Sequence, residues 1–244
     1  MLFLHGGPGA PTDLLDFSVA PAWTPSFTFV QWDQRGAGKT FGSGGTVATD
    51  MTIDRMAQDG IELAQFLRGH LHKDKIIIVG HSWGSILGVH MAKARPDLFY
   101  AYVGAGQVVN AQENEALNYR RVLAKARTLG DTKAIAELQA SGPPPYPAMK
   151  ALTTQRIWAQ AYEHADAYEA AGGPDFALPV FVFEGPDDYI TSPELAKAYV
   201  DTLSAPQKEF VMLNVGGHFV VFTHPEAFVK EMVSRVRPLA LPRP

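Results

Sequence analysis

Gly80-His81-Ser82-Trp83-Gly84 follows directly on Lys75-Ile76-Ile77-Ile78-Val79, and this junction constrains the fold more than any other stretch of the chain. A β-branched run of strand length meets a G-x-S-x-G pentapeptide and continues into the apolar, helix-forming stretch Ile86 to Ala94. A strand that turns into a helix within about one residue holds the central serine in a strained backbone conformation and lifts its hydroxyl clear of the sheet edge. Side chains at 80 and 84 would collide across so tight a turn, and glycine stands at both. Ser85 and Gly88 keep the following helix thin enough to lie close to the strand. The pattern reads as a nucleophile elbow with Ser82 at its tip. A chance match in a chain with 22 glycines does not explain strand, elbow and helix in the required order.

Apolar runs of strand length recur at Leu2 to Leu4, Phe27 to Trp32, Ile76 to Val79, Phe99 to Val103, Val180 to Phe183 and Phe210 to Leu213. They alternate with helical patterns at roughly 52–69, 84–94, 193–203 and 225–236. This alternation predicts an α/β fold: a mostly parallel sheet with helices on both faces. Ser192-Pro193-Glu194 predicts a helix start, with a capping serine, proline at the first helical position and an acid in the first turn. Between 109 and 178 the alternation stops, and the segment turns helical and polar around the stiff turn Gly142-Pro143-Pro144-Pro145-Tyr146-Pro147. We read 109–178 as a helical cap inserted into a core formed by 1–108 and 179–244, because so short a segment is small for an independent core.

A serine nucleophile needs a base, and the base needs an orienting acid. With this elbow the chain order is Ser, then Asp or Glu, then His, each on a loop after a strand. Glu184-Gly185-Pro186-Asp187-Asp188 ends one apolar run, and Asn214-Val215-Gly216-Gly217-His218 follows the last. The spacing Gly185-x-x-Asp188 favours Asp188 over Asp187 as the acid. His218 is favoured over His224 as the base, since two glycines let its loop swing inward while His224 precedes Pro225 and marks a helix start. His81, beside the nucleophile, either packs or tunes the site. The oxyanion hole needs two backbone N–H groups, one from the residue after the nucleophile, Trp83. The other is assigned to the glycine loop His5-Gly6-Gly7-Pro8-Gly9, with Gly7 first and Gly6 second.

A formal net charge of −4 and a pI near 6.0, without a Lys/Arg cluster interleaved with aromatics, argue against nucleic-acid binding. The chain has no cysteine, hence no disulfide or thiolate chemistry. Neither a signal segment nor a stretch of membrane-spanning length is legible, so cytoplasmic is the expected location. Gly36-Ala37-Gly38-Lys39-Thr40 looks like a phosphate loop, but Asp33 stands where that motif needs its first glycine. Metal-ligand motifs are lacking, and no cofactor or metal is expected.

Three blocks, H-G-G-P-G at His5 to Gly9, D-Q-R-G-A-G at Asp33 to Gly38 and G-H-S-W-G-S at Gly80 to Ser85, together resemble the proline iminopeptidase branch of the α/β-hydrolase superfamily. The resemblance covers the core and implies an α/β-hydrolase fold, a Ser82-Asp188-His218 triad, Trp83 and the His5 to Gly9 loop as the oxyanion hole, and structural roles for Asp33 and Arg35. Proline iminopeptidases hold the substrate amine near a W-x-x-W-E motif. Here Trp158-Ala159-Gln160-Ala161-Tyr162-Glu163 approaches it with one extra residue and tyrosine for tryptophan, which implies substrate contacts by Trp158, Tyr162 and Glu163. These departures, with a cap unlike the family's, favour a carboxylesterase-like serine hydrolase acting on a small ester or amide through an acyl-enzyme. The alternative is an aminopeptidase of the proline iminopeptidase type acting on short peptides; a non-catalytic ligand receptor is the remaining reading. The chain starts at what resembles the family's third strand, so either two N-terminal strands are absent or the sequence is a truncated version of a longer one. In the family's strand order, 1-2-4-3-5-6-7-8, absence of those two strands leaves Phe27 to Trp32 at the sheet edge, and if the 244 residues are the whole protein, an apolar edge free of proline and lysine predicts a homodimer by strand pairing.

Overall fold

The computed structural model describes residues 1–7, 9–12, 16–44, 51–161 and 175–241. In chain order its elements are β1 (Leu2–Leu4), α1 (Asp16–Trp23), β2 (Val30–Trp32), α2 (Gly38–Gly44), α3 (Ile53–His70), β3 (Ile76–His81), α4 (Trp83–Ala94) and β4 (Phe99–Ala105). There follow α5 (Ala111–Leu129), α6 (Thr132–Ser141), α7 (Met149–Ala161), β5 (Val180–Glu184), α8 (Pro193–Thr202), β6 (Lys208–Met212), α9 (Val220–Thr223) and α10 (Pro225–Glu231). The six strands form one sheet in the order β2-β1-β3-β4-β5-β6, and each neighbouring pair is parallel.

Each of the six predicted runs contributes a strand, and the bounds shift for physical reasons. The run Phe27 to Trp32 pairs with β1 only from Val30 onward. Phe29 instead turns its ring toward Trp23 and Phe3, at centroid distances of 5.2 and 5.9 Å. Before Val30 the run is joined to the start of the chain through Met1 N, which donates to Thr28 O at 2.7 Å. Among the described residues β2 does stand at one edge of the sheet.

Side chains alternate between the faces of a strand, and the core divides accordingly. Leu2, Leu4, Ile76 and Ile78 pack on one face with Met56 and Ile61 of α3, Leu87 of α4 and Val200 of α8. Phe3, Ile77 and Val79 pack on the other with Trp23 of α1 and Phe228 of α10. A strand buried on both faces has to be continuously apolar, which is why Ile76-Ile77-Ile78-Val79 shows no polar alternation.

The helix starts follow local chemistry. Thr52 Oγ1 accepts from Arg55 N at 3.2 Å before α3, and Asn110 Oδ1 accepts from Glu113 N at 3.0 Å before α5. Ser192 Oγ accepts from Leu195 N at 3.3 Å, with Pro193 opening α8 as its sequence predicts. Helices α5, α6 and α7 occupy the chain between β4 and β5. Their own apolar cluster (Tyr119, Val122, Leu123, Ala126, Ala134, Leu138) is completed by Ile190 from the loop after β5. The cap segment therefore shares its core with the sheet domain instead of closing one alone.

The elbow is the tightest point of the fold. A Cβ at Gly84 would lie 2.1 Å from the Leu4 carbonyl oxygen, and one at Gly80 would lie 2.3 Å from the Gly84 carbonyl oxygen. Both obstacles are backbone, which has no rotamer to yield. Gly84→Ala is expected to lower stability by at least ~2 kcal/mol in urea unfolding, the scale of overpacking. Gly42→Ala, where an added Cβ meets nothing within 4 Å, should be neutral or slightly stabilising in the same measurement.

Candidate active site

Ser82 links β3 to α4 with φ 52° and ψ −123°, a conformation that a non-glycine residue rarely adopts. Three bonds hold the turn. Ser82 N donates to Ala105 O at 3.0 Å, and both Ser85 N and Ser85 Oγ donate to Ser82 O, at 2.8 and 2.6 Å. The strain is thus fixed by pairing with the end of β4 and by the first turn of α4. Trp83 follows at the first helical position, where helix geometry itself supplies no acceptor for the N–H.

Asp188 and His218 come together from the loops after β5 and β6. His218 Nδ1 lies 3.0 Å from Asp188 Oδ2, with both side chains buried. Asp188 Oδ1 accepts from Ile190 N at 2.7 Å and Thr191 N at 2.8 Å, and Oδ2 accepts from Thr191 Oγ1 at 2.8 Å. Burial alone would push this carboxyl up; His218 and the Thr191 donors outweigh it and hold it below the ordinary aspartate value. With an ionised acceptor at Oδ2, Nδ1 of His218 carries the proton and Nε2 keeps its lone pair. Gly106, at φ 57°, makes room for the imidazole, because a Cβ there would sit 2.7 Å from His218 Cε1. Asp187 is exposed and only its backbone N–H is engaged, with Gly216 O at 3.1 Å. His224 is exposed at the cap position of α10, bonded to Thr223 Oγ1 at 3.0 Å.

The glycine loop lies against the elbow. A Cβ on Gly6 would stand 3.1 Å from Ser82 Cβ, so Gly6 packs directly on the candidate nucleophile. Gly7, the first choice from sequence, has φ 122°, and a Cβ there would strike Gly9 N at 2.6 Å. This loop has a support behind it. Gln34, fully buried, donates from Nε2 to His5 O at 2.9 Å and from its backbone N to His5 Nε2 at 3.3 Å. The neighbouring Arg35 holds Asp59 through Nε at 2.6 Å and Nη2 at 2.8 Å, and Asp33 Oδ2 accepts from Lys39 N at 2.7 Å. The D-Q-R-G-A-G block is therefore a brace for the loop and for α2.

The cap reaches the acid loop through one face of α5. Asn114 Nδ2 and Asn118 Nδ2 donate to Ile190 O at 2.8 and 3.1 Å, and Asn114 Oδ1 accepts from Ser192 N at 3.1 Å. Arg121 Nη1 donates to Asp188 O at 3.3 Å. Trp158 sits within the cap itself: its Nε1 donates to Glu137 Oε2 at 2.8 Å, and the Lys133 ammonium lies 5.7 Å over its ring. Tyr162 and Glu163 lie outside the described residues. Sequence reasoning missed Gln34, Asn114 and Thr191; only Thr191 left a local signal, since Asp-x-x-Thr is a pattern that closes an Asx-type turn. Among the described residues no His, Asp and Glu group could hold a metal ion, and no helix is long and apolar enough to cross a membrane.

His81 packs beneath the site. Its Nε2 donates to His218 O at 2.9 Å, and its ring faces those of His218, Phe219 and Phe222. Burial first, then the neighbouring His218, pushes its pKa from 6.5 down to about 3. The unfolded chain therefore binds a proton here that the folded protein refuses. Stability from this group is complete above 6.5 and falls as pH drops toward 3. Between about pH 7 and pH 5 the wild type should lose roughly 2 kcal/mol more than His81→Gln, which keeps a donor for His218 O but does not titrate. Urea unfolding of both proteins at the two pH values measures the difference.

Comparison with known proteins agrees with this architecture. The family model described as "Alpha/beta hydrolase family" matches residues 1–231. The chain is 28% identical over 286 aligned positions to the probable aminopeptidase YbaC of Bacillus subtilis (strain 168), covering 97% of this chain and 88% of that protein. Among solved structures it resembles a thermophilic esterase from Thermogutta terrifontis (TM-score 0.63, 20% identity, 98% of this chain and 90% of that one). It also resembles the proline iminopeptidase of Mycobacterium smegmatis (TM-score 0.63, 17% identity, 98% and 89%), and at such identities both likenesses speak for the fold alone. With a parallel six-stranded sheet, a strand-elbow-helix junction at Ser82 and a family match over nearly its whole length, the chain belongs to the alpha/beta hydrolase family.

Proposed function

We propose that this hydrolase cleaves small carboxylic esters or amides through an acyl-enzyme formed on Ser82. The observation that carries the reading is the buried 3.0 Å contact between His218 Nδ1 and Asp188 Oδ2, formed at the same end of the sheet as the strained Ser82 turn. Asp188 fixes the tautomer that leaves Nε2 basic and stabilises the imidazolium when it forms. Nε2 takes the Ser82 proton as Oγ attacks the substrate carbonyl, then returns it to the leaving alcohol or amine. Water repeats the sequence on the acyl-enzyme, releasing the acid and regenerating the serine. Charge on the tetrahedral oxygen is met by the Trp83 N–H and by an N–H of the Gly6–Gly7 segment; the packing of Gly6 on Ser82 supports this choice.

A second reading, an aminopeptidase releasing an N-terminal residue, is favoured by the name of the Bacillus subtilis relative, which aligns over 97% of this chain. In that case Glu163 contacts the substrate's free amine. Side-by-side turnover of short p-nitrophenyl esters and proline p-nitroanilide decides between the two. Preference for the esters, with a ratio unmoved by Glu163→Gln, supports the first; an anilide preference reduced by Glu163→Gln supports the second.

Ser82→Ala is expected to lower turnover by about 10⁶ and His218→Ala by a similar order, with folding retained. Asp188→Asn should cost about 10⁴, because the amide presents the wrong partner to Nδ1, while Asp187→Asn stays close to wild type. A fluorophosphonate probe should label Ser82 alone, located by peptide mass spectrometry; labelling elsewhere, or none, removes the serine mechanism.

A further inference from the structure

Asp188 has a buried neighbour that the mechanism above does not employ. Glu184 closes β5 four positions earlier in the chain and is fully buried. Its Oε1 accepts from Gln107 N at 2.7 Å, while Oε2 is buried with no hydrogen-bond donor facing it. The carboxyl of Asp188, itself fully buried, lies against that of Glu184 as a side-chain hydrogen-bonding neighbour. Two carboxyls in such contact do not both ionise in a dry interior; one retains a proton.

The surroundings say which. Asp188 is met by two backbone N–H groups, the Thr191 hydroxyl and His218 Nδ1. Glu184 is met by a single backbone N–H. The negative charge belongs where the donors converge, on Asp188, and the proton belongs on Glu184. A protonated Glu184 carboxyl carries an O–H donor for the Asp188 carboxylate, so the pair needs no further donor. Burial first and the Asp188 charge second push Glu184 well above the usual carboxylate range, in the same sense.

We propose that Glu184 is a positioning residue, a carboxylic acid that keeps its proton at working pH and donates it to Asp188, bracing the triad acid against the back of the nucleophile elbow. The inference rests on the reading of Ser82, Asp188 and His218 as the triad. The brace is continuous. Gln107, whose N–H binds Glu184, accepts at Oε1 from Tyr102 Oη at 2.5 Å and donates from Nε2 to Ser85 Oγ at 3.3 Å. Ser85 Oγ accepts from Val108 N at 3.0 Å and donates to Ser82 O at 2.6 Å. A shift in the acid loop is thus opposed by the same side chains that hold the strained serine. Glu184 has a second effect: a donor to Asp188 spreads the carboxylate charge and moderates its hold on the imidazolium.

The other titratable groups around Asp188 and His218 are His81 below them, His5 on the glycine loop, Tyr102 on β4, Arg121 on α5 and Glu194 on α8. None is altered by substitution at 184. Two measurements test the proposal on the full chain. An infrared carbonyl band of a protonated carboxylic acid should persist at about pH 8 in the wild type and vanish in Glu184→Gln. The rate of Ser82 labelling by a fluorophosphonate, followed against pH, should fall about tenfold in Glu184→Ala, with its acid limb moved to higher pH. Glu184→Gln, whose amide can donate to Asp188 and accept from Gln107 N, should recover to within about threefold, with the acid limb unmoved.

Absence of the infrared band, or an acid limb displaced to lower pH in Glu184→Gln, overturns the proposal, because either result means an ionised glutamate. If Glu184→Ala does not fold, the glutamine variant and the band still decide. Wild type that shows the band but resists labelling at Ser82 would discard the triad reading and, with it, the positioning role.

Discussion

A buried carboxylate is the constraint around which the rest of this site is arranged. Taking Asp188 out of water costs several kcal/mol unless donors replace the lost hydration. Here they come from Ile190 N, Thr191 N, Thr191 Oγ1 and His218 Nδ1. The loop after β5 has to curl back on itself to bring two of its own N–H groups to one oxygen. The loop after β6 has to deliver its histidine to the other. Gly185 and Gly106 are glycines for the same reason. A Cβ on Gly185 would lie 2.4 Å from Gly216 O, and one on Gly106 would enter the His218 ring.

Supports for the three proposed catalytic side chains come from different elements. Ser82 is held by β4 and α4, His218 by Asp188 and by the Nε2 donation of His81 to its carbonyl, and Asp188 by its own loop with Arg121 of the cap behind it. Asn114 and Asn118 of α5 both donate to Ile190 O, two residues beyond the acid. The cap is therefore mechanically connected to the acid loop, and Ile190 belongs to its apolar cluster. Helix α5 thus contributes to the rigidity of the acid loop, since displacing it would leave the Ile190 carbonyl and the Ser192 N–H without partners.

Strand positions were legible because a strand covered on both faces must be continuously apolar, and Ile76 to Val79 or Val180 to Phe183 can hardly be read otherwise. The elbow was legible because its backbone geometry demands particular residues at 80, 82 and 84. The edge strand was overestimated: Phe27 to Phe29 has the composition of a strand, but Phe29 serves the aromatic cluster around Trp23 instead. Trp158 carried a motif-based expectation of substrate contact; the structure shows its bond to Glu137 and the Lys133 ammonium over its ring. Order within the glycine loop was also beyond the sequence. Gly6 and Gly7 look alike as letters, and only the fold puts the first of them against Ser82.

By itself, the sequence determined the fold class, the mostly parallel sheet and the placing of Ser82, Asp188 and His218 on segments that follow strands. Each of these follows from local rules: hydrophobic period, turn chemistry and the sequence of loops along the chain. The tertiary structure decided everything that depends on pairing across long separations. Gln34 reaches His5, Gln107 reaches Glu184, and His81 reaches His218, in contacts 29, 77 and 137 positions apart. No periodicity encodes such partners. They exist because buried polar groups must find one another once the apolar faces have closed, and which groups meet is settled by the packing.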